Sequence, residues 1–194
     1  MKKRKNVKKI IIPKNCPSCN SQLSQQEGQV ALKCLNSKEC TPQIEQTIIH
    51  FISRKAMNII GIGNQTIREL VFKKIIHRSA DLYNLNKSDF EKLDRVGDKS
   101  IDNYIDAIEK SKSITFDKFI YALGIKDVGE ASAKSISFIF KSINEFMNCN
   151  KDSLIQVNDI GPIVADNIIT FLKNPYNKRN ITNLLNSGIT INYP

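Results

Sequence analysis

The sequence predicts a mainly α protein in two parts: a small metal-stabilised finger containing β structure, then an all-α domain. Two observations carry this. Four cysteines fall within residues 16–40 of the 194-residue chain, and four glycines recur at intervals of 34, 32 and 32 residues across its remainder. A third observation is negative: no segment of residues 59–194 alternates apolar and polar side chains well enough to be read as a strand.

Composition narrows the possibilities first. The hydrophobic fraction is 41% and the charged fraction 25%, as in ordinary folded domains. No apolar run approaches the roughly 18 residues needed to cross a bilayer, and the N-terminus is charged instead of apolar. The expectation is a cytoplasmic chain with no membrane partner. The net charge of +10 is uneven: residues 1–58 hold 11 basic and 3 acidic side chains, residues 59–194 hold 18 and 16. A basic leading segment over a near-neutral body suits an anionic partner. Residues 1–13, rich in lysine, read as a basic tail, which a solvated surface explains equally well.

The cysteines of the finger, residues 14–58 with its linking helix, are Cys16, Cys19, Cys34 and Cys40. Cys16-Pro17-Ser18-Cys19 is a knuckle that turns two thiolates toward one point. Cys34 follows the strand-like Val30-Ala31-Leu32-Lys33, and Cys40 closes a second loop. Four soft ligands in 25 residues suit a tetrahedral zinc ion. Disulfides are the weaker reading, since nothing else suggests an oxidising compartment. A catalytic metal is weaker too, because four thiolates leave no open coordination position. So few large apolar side chains cannot fold the finger alone, and the metal is expected to be structural. Cys149, His50 and His77 have no partner spacing and read as core or surface residues.

Residues 59–194 repeat around Gly63, Gly97, Gly129 and Gly161. The residue before each is β-branched and apolar (Ile62, Val96, Val128, Ile160), and an apolar residue follows four positions later (Ile67, Ile101, Ala133, Ala165). Helical periodicity therefore begins just after each glycine. Asn64 and Asp98 read as caps, and Pro162 sits where a first-turn proline is tolerated. A short amphipathic stretch precedes each glycine, as in Ser88-Asp89-Phe90-Glu91-Lys92-Leu93. Each unit is thus helix, tight hairpin, helix.

In this helix-hairpin-helix pattern a glycine at a helix N-terminus admits a phosphate to unpaired N–H groups and the positive end of the helix dipole. Such contacts carry no base information, so the expected target is nucleic-acid backbone. Only the first hairpin has both glycines, Gly61-Ile62-Gly63, followed by Asn64. The earlier position is Arg95 in the second hairpin, Asp127 in the third and Asp159 in the fourth. Those aspartates, and Glu130 after Gly129, would repel a phosphate unless they cap helices. The first and second hairpins therefore rank ahead of the fourth, with the third last. Lys99 and Lys134 are further candidates for phosphate contact. Phe116, Phe119, Phe138 and Phe140 sit at helical spacing and read as core, which argues against a single-strand binder.

These residues resemble one family, the bacterial NAD-dependent DNA ligases, over roughly residues 11–194. His50-Phe51-Ile52-Ser53-Arg54-Lys55-Ala56-Met57 before Gly61-Ile62-Gly63 looks like the family's H-F-x-S-R-x-A-M…G-x-G signature. Tyr121-Ala122-Leu123-Gly124-Ile125 before Val128-Gly129 resembles its third-hairpin segment, and Leu184-Leu185-Asn186-Ser187-Gly188-Ile189 resembles the end of its hairpin domain. The resemblance implies a region that clamps nicked double-stranded DNA, with residues 1–13 including the end of an OB-fold. The family's K-x-D-G motif does not occur; Lys92-Leu93-Asp94-Arg95 is the nearest string. The chain alone is therefore expected to be inactive, with the catalytic lysine on a separate adenylation–OB-fold polypeptide or on an absent segment. NAD and magnesium would serve only the complete ligase, in a bacterial, nucleoid-associated setting. The alternative is a stand-alone, non-catalytic DNA-binding protein on the same scaffold.

Overall fold

A computed structural model describes residues 12–25 and 30–194. The basic tail falls almost wholly outside the described residues. The chain divides into two compact units, Met1–Ile44 and Glu45–Pro194. The division falls inside a helix, α1 (Thr41–Ile52). The sequence reading instead carried the finger and its linking helix to residue 58. Residues 50–57 pack within the second unit, where the His50 ring meets Tyr121, so the hydrophobic core claims them.

In the first unit β1 (Leu23–Gln25) pairs antiparallel with β2 (Leu32–Cys34), in the register Leu23↔Cys34, Ser24↔Lys33, Gln25↔Leu32. An isolated bridge joins Asn15 to Gln22. Among the described residues of this unit several apolar side chains stay outside: Val30 is 95% exposed, and Ile12, Leu32 and Leu35 are exposed as well. Its buried residues include Cys16, Cys40 and Ile44. Burial therefore centres on two of the thiols.

The second unit is a helical array. After α1 come α2 (Asn64–Phe72), α3 (Lys87–Phe90), α4 (Asp98–Lys110), α5 (Phe116–Ala122), α6 (Glu130–Ile139), α7 (Ile143–Met147), α8 (Lys151–Ile155), α9 (Pro162–Lys173) and α10 (Pro175–Asn186). A 3-10 helix, Ser79–Asn84, connects α2 to α3. The core positions expected from the periodicity, Ile67, Ile101, Ala133 and Ala165, are all buried. Phe116, Phe119 and Phe140 are buried as expected, whereas Phe138 is 54% exposed. It lies on the outer face of α6, which Ala133, Ile136 and Ser137 turn toward the core.

The all-α expectation needs one correction. β3 (Ser113–Thr115) pairs in parallel with β4 (Thr190–Asn192). Three residues are too few to show alternation, and pairing over such a separation is decided by tertiary packing. The Tyr193 ring then meets Phe116 at 5.0 Å, and its hydroxyl accepts a hydrogen bond from the Ile143 N–H at 3.2 Å. Among the described residues no helix is long and apolar enough to cross a membrane.

Candidate metal centre and nucleic-acid interface

The knuckle at Cys16–Cys19 is a turn closed by the Asn20 N–H to the Cys16 carbonyl at 2.8 Å, with Asn20 itself left-handed (φ 57°). A second turn, where the Cys40 N–H donates to the Asn36 carbonyl at 3.1 Å, brings Cys40 back beside Cys34. The four Sγ atoms lie within 4.8 Å of one another, with Cys19–Cys34 at 3.5 Å and Cys16–Cys40 at 3.9 Å. Ligands about 2.3 Å from a tetrahedral zinc ion stand about 3.8 Å apart, so this cradle fits that ion. The thiols are free, and their separations exceed a disulfide bond of about 2.0 Å.

The electrostatics agree with a cation site. The hydroxyl and the backbone of Ser21 hold the Cys19 thiol down to about 6, while burial pushes Cys40 up to about 12. Cys16 is lowered, chiefly by the backbone N–H groups of Cys19 and Ser18. For Cys34 the Asn36 N–H favours the thiolate, but desolvation and its sulfur neighbours outweigh it, and the thiol is raised. Four thiolates this close need a cation to be ionised together. Cys149 stands apart from this cluster, its thiol pushed up to about 11 by burial.

The hairpins share one backbone design. Gly63, Gly97, Gly129 and Gly161 are the N-caps of α2, α4, α6 and α9, with φ of −81°, −87°, −88° and −81° and extended ψ. Asn64 and Asp98, read above as caps, are instead the first residues of their helices, and no side chain caps any of the four. The first-turn N–H groups are thus left to an external acceptor. Two residues before each glycine the chain turns left-handed: Gly61 at 105°, Arg95 at 61°, Asp127 at 62° and Asp159 at 66°.

A methyl group at any of the four capping glycines would have nothing within 4 Å. Neither dihedral angle nor crowding within the fold demands glycine there.

The hairpins lock in two reciprocal pairs. The Asp94 N–H, in the second hairpin, donates to Glu69 Oε1 of α2 at 2.7 Å, while Gly61 of the first faces Tyr104 of α4, a methyl there lying 3.9 Å from Cδ1. In the other pair Asn167 Nδ2 of α9 donates to Asp127 Oδ2 at 2.8 Å, and Ser135 Oγ of α6 donates to Asp159 Oδ2 at 3.5 Å. The aspartates, for which helix capping was the alternative to repelling a phosphate, do not cap: Gly129 and Gly161 take the cap positions. They are turn residues held by a neighbouring hairpin, and left-handed backbone suits Asp.

The other candidates fall as follows. Ile62 is buried, so its side chain belongs to the core and only its backbone faces the hairpin. Asn64, Arg95, Lys99 and Lys134 are exposed. Sequence reasoning missed two ion pairs at the helix starts. Lys55 Nζ lies 2.6 Å from Glu130 Oε1, and Lys87 Nζ lies 3.2 Å from Asp98 Oδ1. Lys87 stands eleven positions before Asp98, a separation that carries no helical register, and Lys55 is 75 residues from Glu130.

A four-cysteine cradle that fits a metal ion, joined in one chain to helix-hairpin-helix motifs, defines a class: a zinc-finger, DNA-binding type of protein. Family models agree. Residues 15–41 match the NAD-dependent DNA ligase C4 zinc finger domain, and residues 118–181 match the helix-hairpin-helix motif. The chain is 41% identical over 186 residues to a DNA ligase of Bacteroides fragilis, covering 96% of this chain and 28% of that protein. It is 39% identical over 182 residues to a DNA ligase of Halalkalibacterium halodurans, covering 94% and 27%. With a DNA ligase of a Marinomonas species it shares 35% over 190 residues, covering 97% and 28%. The chain thus spans little more than a quarter of the length of these relatives. Over its zinc-finger and helix-hairpin-helix region the chain is similar to the corresponding part of NAD-dependent DNA ligases.

Proposed function

We propose that this chain is the DNA-clamping region of an NAD-dependent DNA ligase, gripping the phosphate backbone of nicked duplex DNA without reading its sequence. The observation that carries this is the set of four capping glycines whose missing side chains nothing in the fold would fill. Open space in front of an uncapped helix N-terminus is what a phosphate needs. Gly61, Ile62, Gly63 and Asn64 form the first such contact, Arg95, Gly97 and Lys99 the second, Gly129 and Lys134 the third, and Gly161 the fourth. A structural zinc ion on Cys16, Cys19, Cys34 and Cys40 holds the finger.

No side chain of this region performs chemistry. Its contribution to sealing a nick is to hold the two ends in line, and positioning alone removes a large part of a barrier. On this reading adenylation, NAD and magnesium belong to the other parts of a complete ligase, whether on a separate polypeptide or on further segments of the same one. The test is binding of the zinc-loaded chain to nicked and intact duplex, comparing wild type with Gly63→Val and Gly97→Val. Loss of affinity at unchanged thermal stability supports the reading. Unchanged affinity in both variants overturns it.

A further inference from the structure

The first residues of the four hairpin helices differ in charge. They are Asn64, Asp98, Glu130 and Pro162, so the two middle hairpins place a carboxylate where a phosphate would approach. A helix N-terminus stabilises an anion, and here the chain supplies one of its own. In both, a lysine from outside the helix is brought to that carboxylate; the fourth hairpin's helix has a related pair four residues further in, Lys151 Nζ to Asp166 Oδ1 at 2.6 Å. Lys55 comes from the segment after α1, at 2.6 Å, and Lys87 from α3, at 3.2 Å.

These pairs contribute little to the fold. The side chains of Lys55 and Glu130 are 66% and 55% exposed, those of Lys87 and Asp98 49% and 80%. Water screens exposed pairs of this kind, and the entropy of holding two long side chains offsets most of what remains. Their common position at one register of two hairpins, reached from two unrelated parts of the chain, calls for another reason. Each lysine is drawn further toward its charged form by its partner carboxylate. Around Glu130 the same recess, of about 230 Å³, is lined by Arg54, Lys118, Asp117 and Tyr121.

We propose that Lys55 and Lys87 are positioning residues for DNA, which neutralise Glu130 and Asp98 so that the third and second hairpins accept a backbone phosphate. They act through those carboxylates and not by touching DNA themselves. The inference rests on the clamping reading above, and it gives the third hairpin a phosphate contact despite the acidic residue that follows its glycine.

A double-mutant cycle on the full zinc-loaded chain tests it, read as the dissociation constant for a nicked duplex. Lys55→Met weakens binding about three- to tenfold, the range expected for one uncompensated charge beside a bound phosphate. Glu130→Gln tightens it, and Lys55→Met added to Glu130→Gln costs nothing more. Lys87→Met and Asp98→Asn repeat the pattern at the second hairpin. Equal losses from the lysine change in both backgrounds would mean direct contact with DNA, and no loss in the wild-type background would mean no role; either overturns the proposal. Gly129→Val and Gly97→Val separate the two levels. If they abolish binding while the cycles show no coupling, only the positioning role fails. If they too leave affinity unchanged, the clamping reading itself fails.

Discussion

Asp127 and Asn167 belong to different hairpins, yet the amide of Asn167 donates to the carboxylate of Asp127 at 2.8 Å. Asp127 sits at a left-handed turn (φ 62°), and Asn167 lies six residues after the capping Gly161. Ser135, six residues after Gly129, returns the contact to Asp159 at 3.5 Å. Each turn is thereby held by the helix of the other hairpin, which fixes two helix N-termini relative to one another. On the clamping reading proposed above, that fixed spacing is the property a clamp would have to preserve.

Breaking this reciprocity has a defined cost. Asn167→Asp sets a second carboxylate against Asp127, and Asp127→Val forces a β-branched residue into left-handed backbone. Each is expected to lower stability by about 1–2 kcal/mol, read from urea denaturation of the second unit's helical signal. A loss under 0.3 kcal/mol in both would show that the pairing contributes nothing.

Glycines of the two kinds separate cleanly by experiment. Gly124 has φ 66°, and a methyl there would meet His50 Cδ2 at 3.3 Å. Gly124→Ala is expected to destabilise by about 1–2 kcal/mol from backbone strain and contact with the His50 ring. Gly63→Ala, with open space and ordinary φ, is expected to leave the melting temperature in place. Equal melting temperatures for the two variants would contradict the assignment.

The metal supports one unit and not the other. Chelation, or Cys34→Ser, should remove zinc and unfold the finger, in which Ile12, Val30, Leu32 and Leu35 are exposed. The second unit, with Phe90, Phe116 and Phe119 fully buried, should retain its helical circular dichroism and its cooperative melting. Collapse of that helical signal on chelation would refute the division of labour.

Acid should loosen the first hairpin pair. The Asp94 N–H and then Lys73 hold the Glu69 carboxyl below its ordinary range. A carboxyl lowered in the folded state contributes stability that is present above its unfolded pKa, about 4.3, and is lost as pH falls through the folded value. Wild type should therefore lose stability relative to Glu69→Gln below about pH 4, and the difference should be flat above pH 6. Parallel curves for the two proteins would exclude this contribution.

Salt offers an independent count of phosphate contacts. The slope of log affinity against log salt should shrink by about 0.9 for every hairpin disabled by a bulky residue at its capping glycine. A slope unchanged in Gly63→Val would remove the first hairpin from the DNA interface.

Much of this was legible in the chain itself. The spacing of Cys16, Cys19, Cys34 and Cys40 sufficed for the metal cradle, because ligand geometry is local to two tight turns. The recurrence of Gly63, Gly97, Gly129 and Gly161 sufficed for the helix starts, because the apolar period restarts after each. One misreading was local, a shift by a single residue. Asn64 and Asp98 resemble caps by residue type, but the glycine before each takes the cap position.

Composition and periodicity alone determined a finger that depends on four thiols and a body of four glycine-started helices, since both follow from neighbours in sequence. Tertiary structure alone decided that Asp127 and Asp159 face Asn167 and Ser135, that β4 pairs with β3, and that Lys55 reaches Glu130. Those contacts join residues 24 to 77 positions apart, and no local pattern encodes which distant surface the packing of the core will bring to a given side chain.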